Sequence, residues 1–245
     1  MKYKNLYING CSFTKGHHLP DEDTWPVKLA KELELELFNF AQNGQSMQSI
    51  ALNSYLHLDN FDPKDTLVII GITWPPRYSV QYKGYTFNMT PTGLDPGSHM
   101  DWEAKIARAG LPYYFLDKED NRLEDANTDE GYVKVLEAFN EYYRSLVEYQ
   151  DGDELFINQK VNWYYTIDTL RSYIKDKGFD CKFVLFPDDY NRFLEFKELD
   201  FTDIINLNPD FKKYAPPPNS HPTADGCTYI KDEILKVIRT GSSAG

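Results

Sequence analysis

A short apolar segment near the start of the chain ends in a glycine and a small hydroxyl residue. The segment from Leu6 to Gly16 reads LYINGCSFTKG. A few residues of strand character, then a Gly-x-Ser turn and a helical pattern, predict that Ser12 lies at the carboxyl end of a strand. Open α/β sheets bind and transform their ligands at that edge. The segment therefore predicts a strand–turn–helix unit, with Ser12 as a candidate nucleophile beside exposed backbone N–H groups.

The same loop is also compatible with interpretations that involve no nucleophilic serine. A serine that follows glycine at a strand end often serves as a turn residue or a helix N-cap and does no chemistry. A phosphate-binding P-loop is set aside, because Gly16 is followed by His17 and not by the Lys-Ser/Thr pair of that motif. Nothing in the sequence marks Cys11 as an activated thiol, so we expect a small buried packing residue there.

The segments that follow repeat the alternation of strand and helix. The predicted elements are a helix over Trp25–Leu33 with Thr24 as a cap residue, a strand over Leu35–Ala41, a helix over Ser46–Leu58 and a strand over Thr66–Ile72. The buried residues of the second helix are predicted to be Ile50, Leu52, Tyr55 and Leu56. Since Thr66–Ile72 is continuously apolar, it is typical of a central parallel strand covered on both faces. Three strand–helix units in a row predict a doubly wound sheet.

The second half of the chain contains a long stretch without clear periodicity. It runs from Thr73 to about Thr128, with a short helix expected over 101–109, and a stretch of this length is typical of a functional lid or binding loop. The elements predicted after it are helices over Gly131–Tyr149 and Asp153–Lys177, a strand over Cys181–Phe186, a further strand within Asp200–Leu207, and a helix over Ala224–Arg239. The aromatic residues Trp163, Tyr164 and Tyr165 are expected to pack.

Length and charge limit the classes of protein that this chain can represent. A chain of 245 residues with 41% hydrophobic residues can form one large α/β domain. The net charge of −12 argues against broad binding to nucleic acid or to an anionic membrane. The 3 cysteines are expected to be free thiols in a reducing compartment. No signal peptide or apolar span is recognisable, which favours a cytoplasmic location.

One of the 5 histidines stands out as a partner for Ser12. His17 and His18 lie in a polar loop and are expected to face solvent; a metal site with Asp21 and Asp23 has no supporting ligand spacing. His57 and His99 are expected to be structural or exposed. His221 lies between the stiff run Pro216–Pro218 and Pro222, just before the last helix. A closing α/β unit would bring that loop back over the strand ends, so His221 is the candidate general base.

Three segments resemble the conserved blocks of the SGNH (GDSL-like) hydrolases. Residues 10–14 are similar to the first block, residues 39–46 to the second and residues 221–226 to the last, in the order found in that family. The resemblance implies a single flavodoxin-like, three-layer α/β domain over 1–240. It implies a parallel sheet of about five strands and a helical insertion or lid over about 74–150 after the third strand. Residues 241–245 are expected from their own composition to form a flexible tail or expression remnant.

The resemblance also implies roles for particular residues. Ser12 would be the nucleophile and His221 the base, while the N–H groups of Ser12 and Gly44 would bind the oxyanion. The chain departs from the family at three places: Cys11 replaces the usual aspartate of the first block, Thr73 stands where an asparagine donor is usual, and Asn219 and Pro218 stand where the triad aspartate is usual. Thr73 could donate from its hydroxyl, and Asn219 could orient His221 without adding charge. Asp188, Asp189 or Asp225 could supply that charge only if the folded geometry brings one of them to His221.

The expected activity is therefore hydrolysis of an ester or acyl group on a small molecule or glycan, without a cofactor or metal. Arg77 could anchor an anionic group, with Trp74 and Tyr78 lining a pocket, although surface charge and packing explain these three equally well. Two alternatives remain open: a binding or structural protein that keeps the fold with an impaired site, and an acyl or glycosyl transferase on the same scaffold.

Overall fold

A computed structural model of the chain describes residues 2–73, 77–82, 85–89, 152–186, 203–207, 213–215 and 221–241. The strands are β1 (Asn5–Asn9), β2 (Glu36–Asn39), β3 (Thr66–Ile72), β4 (Tyr78–Tyr82), β5 (Tyr85–Met89), β6 (Asp180–Leu185) and β7 (Ile204–Asn206). The helices are α1 (Ser12–Lys15), α2 (Trp25–Leu33), α3 (Met47–Leu58), α4 (Gly152–Asp176) and α5 (Ala224–Gly241), with a 3₁₀ turn over Asp21–Asp23.

Five of these strands form one parallel sheet. Their order across the sheet is β2-β1-β3-β6-β7, and every neighbouring pair is parallel. This is the doubly wound, flavodoxin-like order, in which the chain starts near the middle of the sheet and winds to both edges. Because all the strands point the same way, the loops after β1, β2, β3 and β6 leave from one edge of the sheet.

The sheet is covered on both faces, as the continuous apolar run of β3 predicted. All seven residues of β3 are buried. On one face Leu6 and Ile8 of β1 join a core with α2 and α5. On the other face the Asn9 side chain donates to Ile50 of α3, and α4 reaches α3 through the bond from the Tyr173 hydroxyl to the Tyr55 carbonyl. The result is a sheet between two helical layers.

The buried face of α3 differs from the prediction. Ile50 is fully buried, but Leu52 is 36% exposed and Leu56 is 63% exposed, while Tyr55 is half-buried. Ser54 lies inside instead, because the side chains of Asn9 and Tyr7 reach from β1 to its hydroxyl. Hydrogen bonds from Asn9 and Tyr7 of β1 thus place Ser54 on the inward face of α3. Hydropathy alone predicts the wrong residues for that face.

The stretch after β3 contains a hairpin that was not predicted. Strands β4 and β5 pair antiparallel, with Tyr78 opposite Met89 and Tyr82 opposite Tyr85. The signal lies in the alternating, β-prone residues on either side of Lys83-Gly84, a two-residue connection with glycine second. The predicted helices over 101–109 and 131–149 lie outside the described residues, as do His99 and residues 242–245.

The contacts within the chain divide it into two compact units. One comprises Met1–Asn43, Ile50–Thr73 and Thr166–Gly245, and the other comprises Gly44–Ser49 and Trp74–Tyr165. The first unit holds the parallel sheet, and the second holds the β4–β5 hairpin. The single domain over 1–240 and the lid over 74–150 stay predictions.

The remaining sequence predictions concern the bounds of single elements and the roles of single side chains, and they are confirmed only in part. The predicted helix over Trp25–Leu33, the strand within Asp200–Leu207 and the stop of α4 before Gly178 are confirmed. The Thr24 hydroxyl does not cap α2, because it donates to the Asp21 carbonyl at 2.7 Å. Tyr165 is 62% exposed, and its ring lies 5.8 Å from the Tyr164 ring in an edge-to-face contact, so it packs against a neighbour on the helix and not into the core. None of the helices in the described ranges combines the length and the apolar character that a bilayer crossing needs.

Candidate active site

Ser12 is the first residue of α1, immediately after the carboxyl end of β1. Cys11 precedes it in an extended conformation, and the Cys11 carbonyl accepts hydrogen bonds from the Thr14 and Lys15 N–H groups at 2.9 Å each. Gly16 ends the short helix at a φ of +81°, a left-handed conformation that suits glycine. The Trp25 indole N–H donates to the Phe13 carbonyl at 3.2 Å and ties the turn to α2.

Two glycines make room for the side chain of Thr14 beneath this turn. A Cβ built on Gly10 would lie 2.2 Å from the Thr14 Oγ1, and a Cβ built on Gly71 would lie 2.1 Å from the same atom. No side chain larger than hydrogen fits at either strand end while Thr14 keeps its place. Gly10 and Gly71 therefore let α1 sit directly on the ends of β1 and β3.

The end of β1 is also held by the buried side chain of Asn9. Its Nδ2 donates to the Ile50 carbonyl at 3.1 Å and to the Ser54 Oγ at 3.2 Å, and its Oδ1 accepts the Gly10 N–H at 2.8 Å. The amide thus uses both its donor and its acceptor, and it fixes the point at which the chain leaves the sheet towards Ser12.

His221 lies next to Ser12, as the sequence predicted. The His221 Nε2 is 2.9 Å from the Ser12 Oγ, although the two residues are 209 positions apart in the chain. Ser12 is only 4% exposed and His221 is half-buried. When the imidazole carries its proton on Nδ1, Nε2 accepts the proton of the serine hydroxyl, which is the arrangement that activates a serine nucleophile.

The loop that carries His221 is fixed by the start of α5. The Thr223 Oγ1 accepts the Gly226 N–H at 3.2 Å and so caps the helix. The Thr223 N–H donates to the Tyr214 carbonyl at 2.8 Å. A Cβ on Gly226 would lie 2.9 Å from that carbonyl oxygen, so glycine is needed where residues 213–215 cross the helix.

Aromatic rings and two further histidines surround the His221 ring. Its centroid lies 5.0 Å from Phe13, 5.1 Å from His17 and 6.4 Å from His18. The His17 and His18 rings are 3.6 Å apart. His18 is exposed as predicted, but His17 is half-buried. Both rings lie beside His221, a contact that was not predicted.

The electrostatics of this cluster disfavour the charged form of His17. Burial lowers the pKa of His17 below its ordinary value of 6.5, and the positive charges of His18, His221 and Lys15 lower it further. Among the described residues, no group of three His, Cys, Asp or Glu side chains has the arrangement of a metal site.

The other predicted site residues have these positions. Thr73 is buried and follows the last residue of β3. Gly44 is buried at a φ of +73° in the loop after β2. Arg77 is half-buried and precedes β4, whose first residue is Tyr78. The predicted residues outside the described ranges are Trp74, Asn219, Asp188 and Asp189.

The remaining sequence predictions near the site concern Asp225 and the cysteines. Asp225 is exposed in the first turn of α5. Cys11 is 2% exposed, in agreement with a packing role, and all 3 cysteines are free and buried. Asn9 and Thr14, which support Ser12, were not predicted; a polar residue at the end of an apolar strand was the available signal for Asn9, and no local pattern marks Thr14.

The sequence matches no protein-family model and no curated protein. The structure matches the psychrotrophic esterase EstA from Pseudoalteromonas sp., solved in a form inhibited by monoethylphosphonate, with 10% identity and a TM-score of 0.52 over 98% of this chain and 99% of that chain. It matches TesA with 11% identity and a TM-score of 0.50 over 97% of this chain and 99% of that chain.

A third match is the acetyl xylan esterase Est2A from the rumen bacterium Butyrivibrio proteoclasticus. The identity is 9% and the TM-score 0.50, over 99% of this chain and 65% of that chain. At such low identity the matches establish the fold: an α/β architecture with a five-stranded parallel sheet, of the SGNH-hydrolase type.

Proposed function

We propose that this chain of SGNH-hydrolase fold is a serine esterase, which cleaves an ester or acyl group from a small molecule or a glycan. The observation that carries the proposal is the 2.9 Å approach of the His221 Nε2 to the Ser12 Oγ at the carboxyl edge of the sheet. The fold by itself would not suffice, because one fold serves many functions.

In the first half of the reaction Ser12 forms an acyl-enzyme. The Ser12 Oγ attacks the acyl carbon while the His221 Nε2 takes the hydroxyl proton, which yields a tetrahedral intermediate. His221 then gives that proton to the departing alkoxide, so that the alcohol leaves and the acyl group stays on Ser12. In the second half a water molecule attacks the acyl carbon with the same help from His221, and the carboxylic acid is released.

The oxyanion of each intermediate needs hydrogen-bond donors. We assign the backbone N–H groups of Ser12 and Gly44 to this role, with the Thr73 hydroxyl as a further donor. Loss of one such donor typically costs about a hundredfold to a thousandfold in rate. We assign Asn219 to orient His221 through its side-chain oxygen, the role that asparagine has in Cys-His-Asn enzymes.

Two of the structural relatives support an ester as the substrate class. Est2A is an acetyl xylan esterase and EstA is an esterase inhibited by a phosphonate. For this chain we propose an acetyl or other short acyl ester, with Arg77, Trp74 and Tyr78 as contacts to the remainder of the substrate. A guanidinium binds carboxylate or phosphate through two parallel bonds, so Arg77 suits an anionic substituent.

The proposal is tested by reaction with a fluorophosphonate, which modifies only activated serines. We expect stoichiometric labelling of Ser12, located by mass spectrometry of the modified peptide. Ser12→Ala and His221→Ala should abolish labelling. Ser172→Ala and His57→Ala are matched controls that should label like the wild type, since Ser172 is exposed on α4 and His57 stacks on Phe40 at 4.5 Å.

Well-folded wild-type protein that stays unlabelled would rule out the esterase. That result would favour a binding or structural protein with an impaired site. Labelling of Ser12 without release of acid from any ester, but with transfer of the acyl group to an added alcohol, would instead favour the transferase alternative.

A further inference from the structure

Two adjacent histidines form a tight turn directly after the short helix that begins at Ser12. The Gly16 carbonyl accepts the Leu19 N–H at 2.9 Å, so His17 and His18 are the central residues of this turn. His18 has a φ of +71°, a conformation in which glycine or asparagine is usual. The backbone therefore does not account for a histidine at this position. The His17 N–H donates to the Ser12 carbonyl at 3.1 Å and attaches the turn to the nucleophile segment.

The side chains of this turn lie beside the proposed base. The His17 ring centroid is 5.1 Å from the His221 centroid, and the His18 centroid is 6.4 Å from it. His17 is half-buried and His18 is exposed. The three histidines and Ser12 belong to the same compact unit. Both rings are therefore accessible to a molecule that reaches His221 from solvent.

The proposed reaction determines which part of the substrate comes to His221. The departing alcohol takes its proton from the His221 Nε2, so its oxygen must come within about 3 Å of that atom. The acyl group is meanwhile bonded to the Ser12 Oγ. The alcohol part is thus the part of the substrate nearest to the rings that flank His221, which are those of Phe13, His17 and His18. Phe13 offers an apolar face, whereas the two histidines offer ring N–H groups.

The electrostatic field at His17 is positive. Burial lowers the pKa of His17, and three neighbouring positive charges lower it further, those of His18, His221 and Lys15. Since the His17 and His18 rings are 3.6 Å apart, two imidazolium ions would repel each other there. This positive field stands out in a chain whose net charge is −12. An anion beside the two rings would offset the repulsion, whereas a neutral group would leave it unchanged.

We infer that His17 and His18 bind an anionic substituent, a carboxylate or a phosphate, on the departing alcohol of the substrate. An imidazolium donates from its ring nitrogens to such an oxyanion through charge-assisted hydrogen bonds. The inference rests on the proposed function, because proton transfer from His221 is what brings the alcohol part to this turn. His17 and His18 are then specificity residues, while Ser12 and His221 carry out the reaction.

Three acetate esters that differ in the charge of their alcohol part test the inference. 2-Acetoxyacetate carries a carboxylate, 2-acetoxyethyl phosphate carries a phosphate and 2-acetoxyacetamide is neutral. We expect kcat/KM of the wild type for at least one anionic ester to exceed that for the amide by more than about tenfold at low salt. Intrinsic reactivity does not favour 2-acetoxyacetate, since a carboxamide withdraws electrons more strongly than a carboxylate. The identity of the preferred ester distinguishes carboxylate from phosphate.

Substitutions in the turn separate recognition of the substrate from packing. His17→Phe keeps an aromatic ring beside His221 but removes the ring N–H groups. In this variant the preference should fall below about threefold, while kcat/KM for the amide stays within about threefold of the wild type. His18→Gly should also lower the preference, and folding is not at risk because glycine suits the φ of +71°. His57→Phe is the matched control and should keep the wild-type preference, since His57 stacks on Phe40.

Three results would overturn the inference. The first is a wild type that hydrolyses the anionic esters no faster than the amide. The second is a preference that both His17→Phe and His18→Gly retain. The third is an equal fall in kcat/KM for all three esters in these variants, because a uniform loss indicates that the turn positions His221 and does not recognise the substrate.

Failure of the proposed function gives a different pattern. The wild type then hydrolyses none of the three esters, and Ser12 stays unlabelled by fluorophosphonate. Titration of Ser12→Ala with the same compounds, followed through the NMR signals of the histidine rings, then decides about the turn. A pKa of His17 that rises with an anionic compound but not with the amide supports anion binding. A pKa of His17 that is unchanged by all three compounds contradicts it.

Discussion

At the residue scale, the position of Ser12 depends on side chains that take no part in the proposed chemistry. Thr14 is buried between Gly10 and Gly71, and Asn9 pins the end of β1 through three hydrogen bonds. Since a protein interior is closely packed, a small change in volume at these positions is transmitted to the turn. The contribution of these packing and hydrogen-bond contacts to stability can be measured separately from catalysis.

Gly71→Ala is expected to destabilise the protein by about 1–3 kcal/mol, because the new Cβ overlaps the Thr14 side chain. Addition of Thr14→Ala removes the overlapping atoms, so the double variant should be less destabilised than the sum of the two single changes. Urea denaturation of all four proteins gives this coupling energy.

Gly178 provides the control for this cycle. It has a φ of +85° and the nearest atom to an added Cβ is 3.8 Å away, on Pro63. Gly178→Ala should therefore destabilise through backbone strain alone and combine additively with Thr14→Ala. An additive effect of Gly71→Ala with Thr14→Ala would show that the two residues do not compete for space.

The lowered pKa of His17 predicts a dependence of stability on pH. Burial and the neighbouring positive charges hold its pKa in the folded protein below the ordinary 6.5 of the unfolded chain. Between these two values the unfolded state binds more protons, so stability is lost as the pH falls below about 6.5. When the pH is lowered from about 7.5 to about 5.5, the free energy of unfolding should fall less in His17→Gln than in the wild type. Urea denaturation at the two pH values measures this difference. Equal losses in both proteins would contradict the prediction.

At the scale of elements, the proposed base is positioned by contacts between helices. The Lys28 Nζ of α2 donates to the Ala224 carbonyl at 3.0 Å and to the Thr228 Oγ1 at 3.1 Å, at the start of α5. Asp23 lies 3.6 Å from the same ammonium group. This link holds the helix that follows His221 against the helix that supports the Ser12 turn.

Lys28→Met should therefore slow the labelling of Ser12 while the protein stays folded. The loss of two charge-assisted bonds is expected to cost about 1–3 kcal/mol in stability. The rate of fluorophosphonate labelling should fall by about tenfold if the start of α5 shifts. Lys31→Met, on the exposed side of the same helix, is the control and should label at the wild-type rate. Normal labelling of Lys28→Met would mean that α5 is held without this link.

The elements also differ in how well the sequence predicted them. The strands β1, β3 and β6 and the helices α2 and α5 were predicted within a few residues, because each carries a strong apolar period and a clear stop. The inward face of α3 was predicted wrongly, since the polar contacts from Asn9 decide it. The β4–β5 hairpin was not predicted, because its short alternating strands lie in a stretch rich in tyrosine, proline and glycine.

At the scale of the whole molecule, the parallel sheet brings distant segments to one edge. Ser12 and His221 come from opposite ends of the chain, and they meet because β1 lies inside the sheet, between β2 and β3, and His221 lies at the carboxyl edge of the same sheet. The alternation of strands and helices predicted a doubly wound sheet, because parallel crossovers are right-handed and lie over the sheet faces. Three short motifs in order were enough to identify the candidate pair.

The sequence by itself therefore determined the fold class, the order of the main elements, and Ser12 and His221 as candidates, because local periodicity and turn residues encode all of these. Only the tertiary structure decided which side chains surround them. The histidine cluster and the packing of Thr14 against two glycines arise from contacts between segments far apart in the chain. No local pattern encodes such contacts, since they depend on how the segments are placed in space.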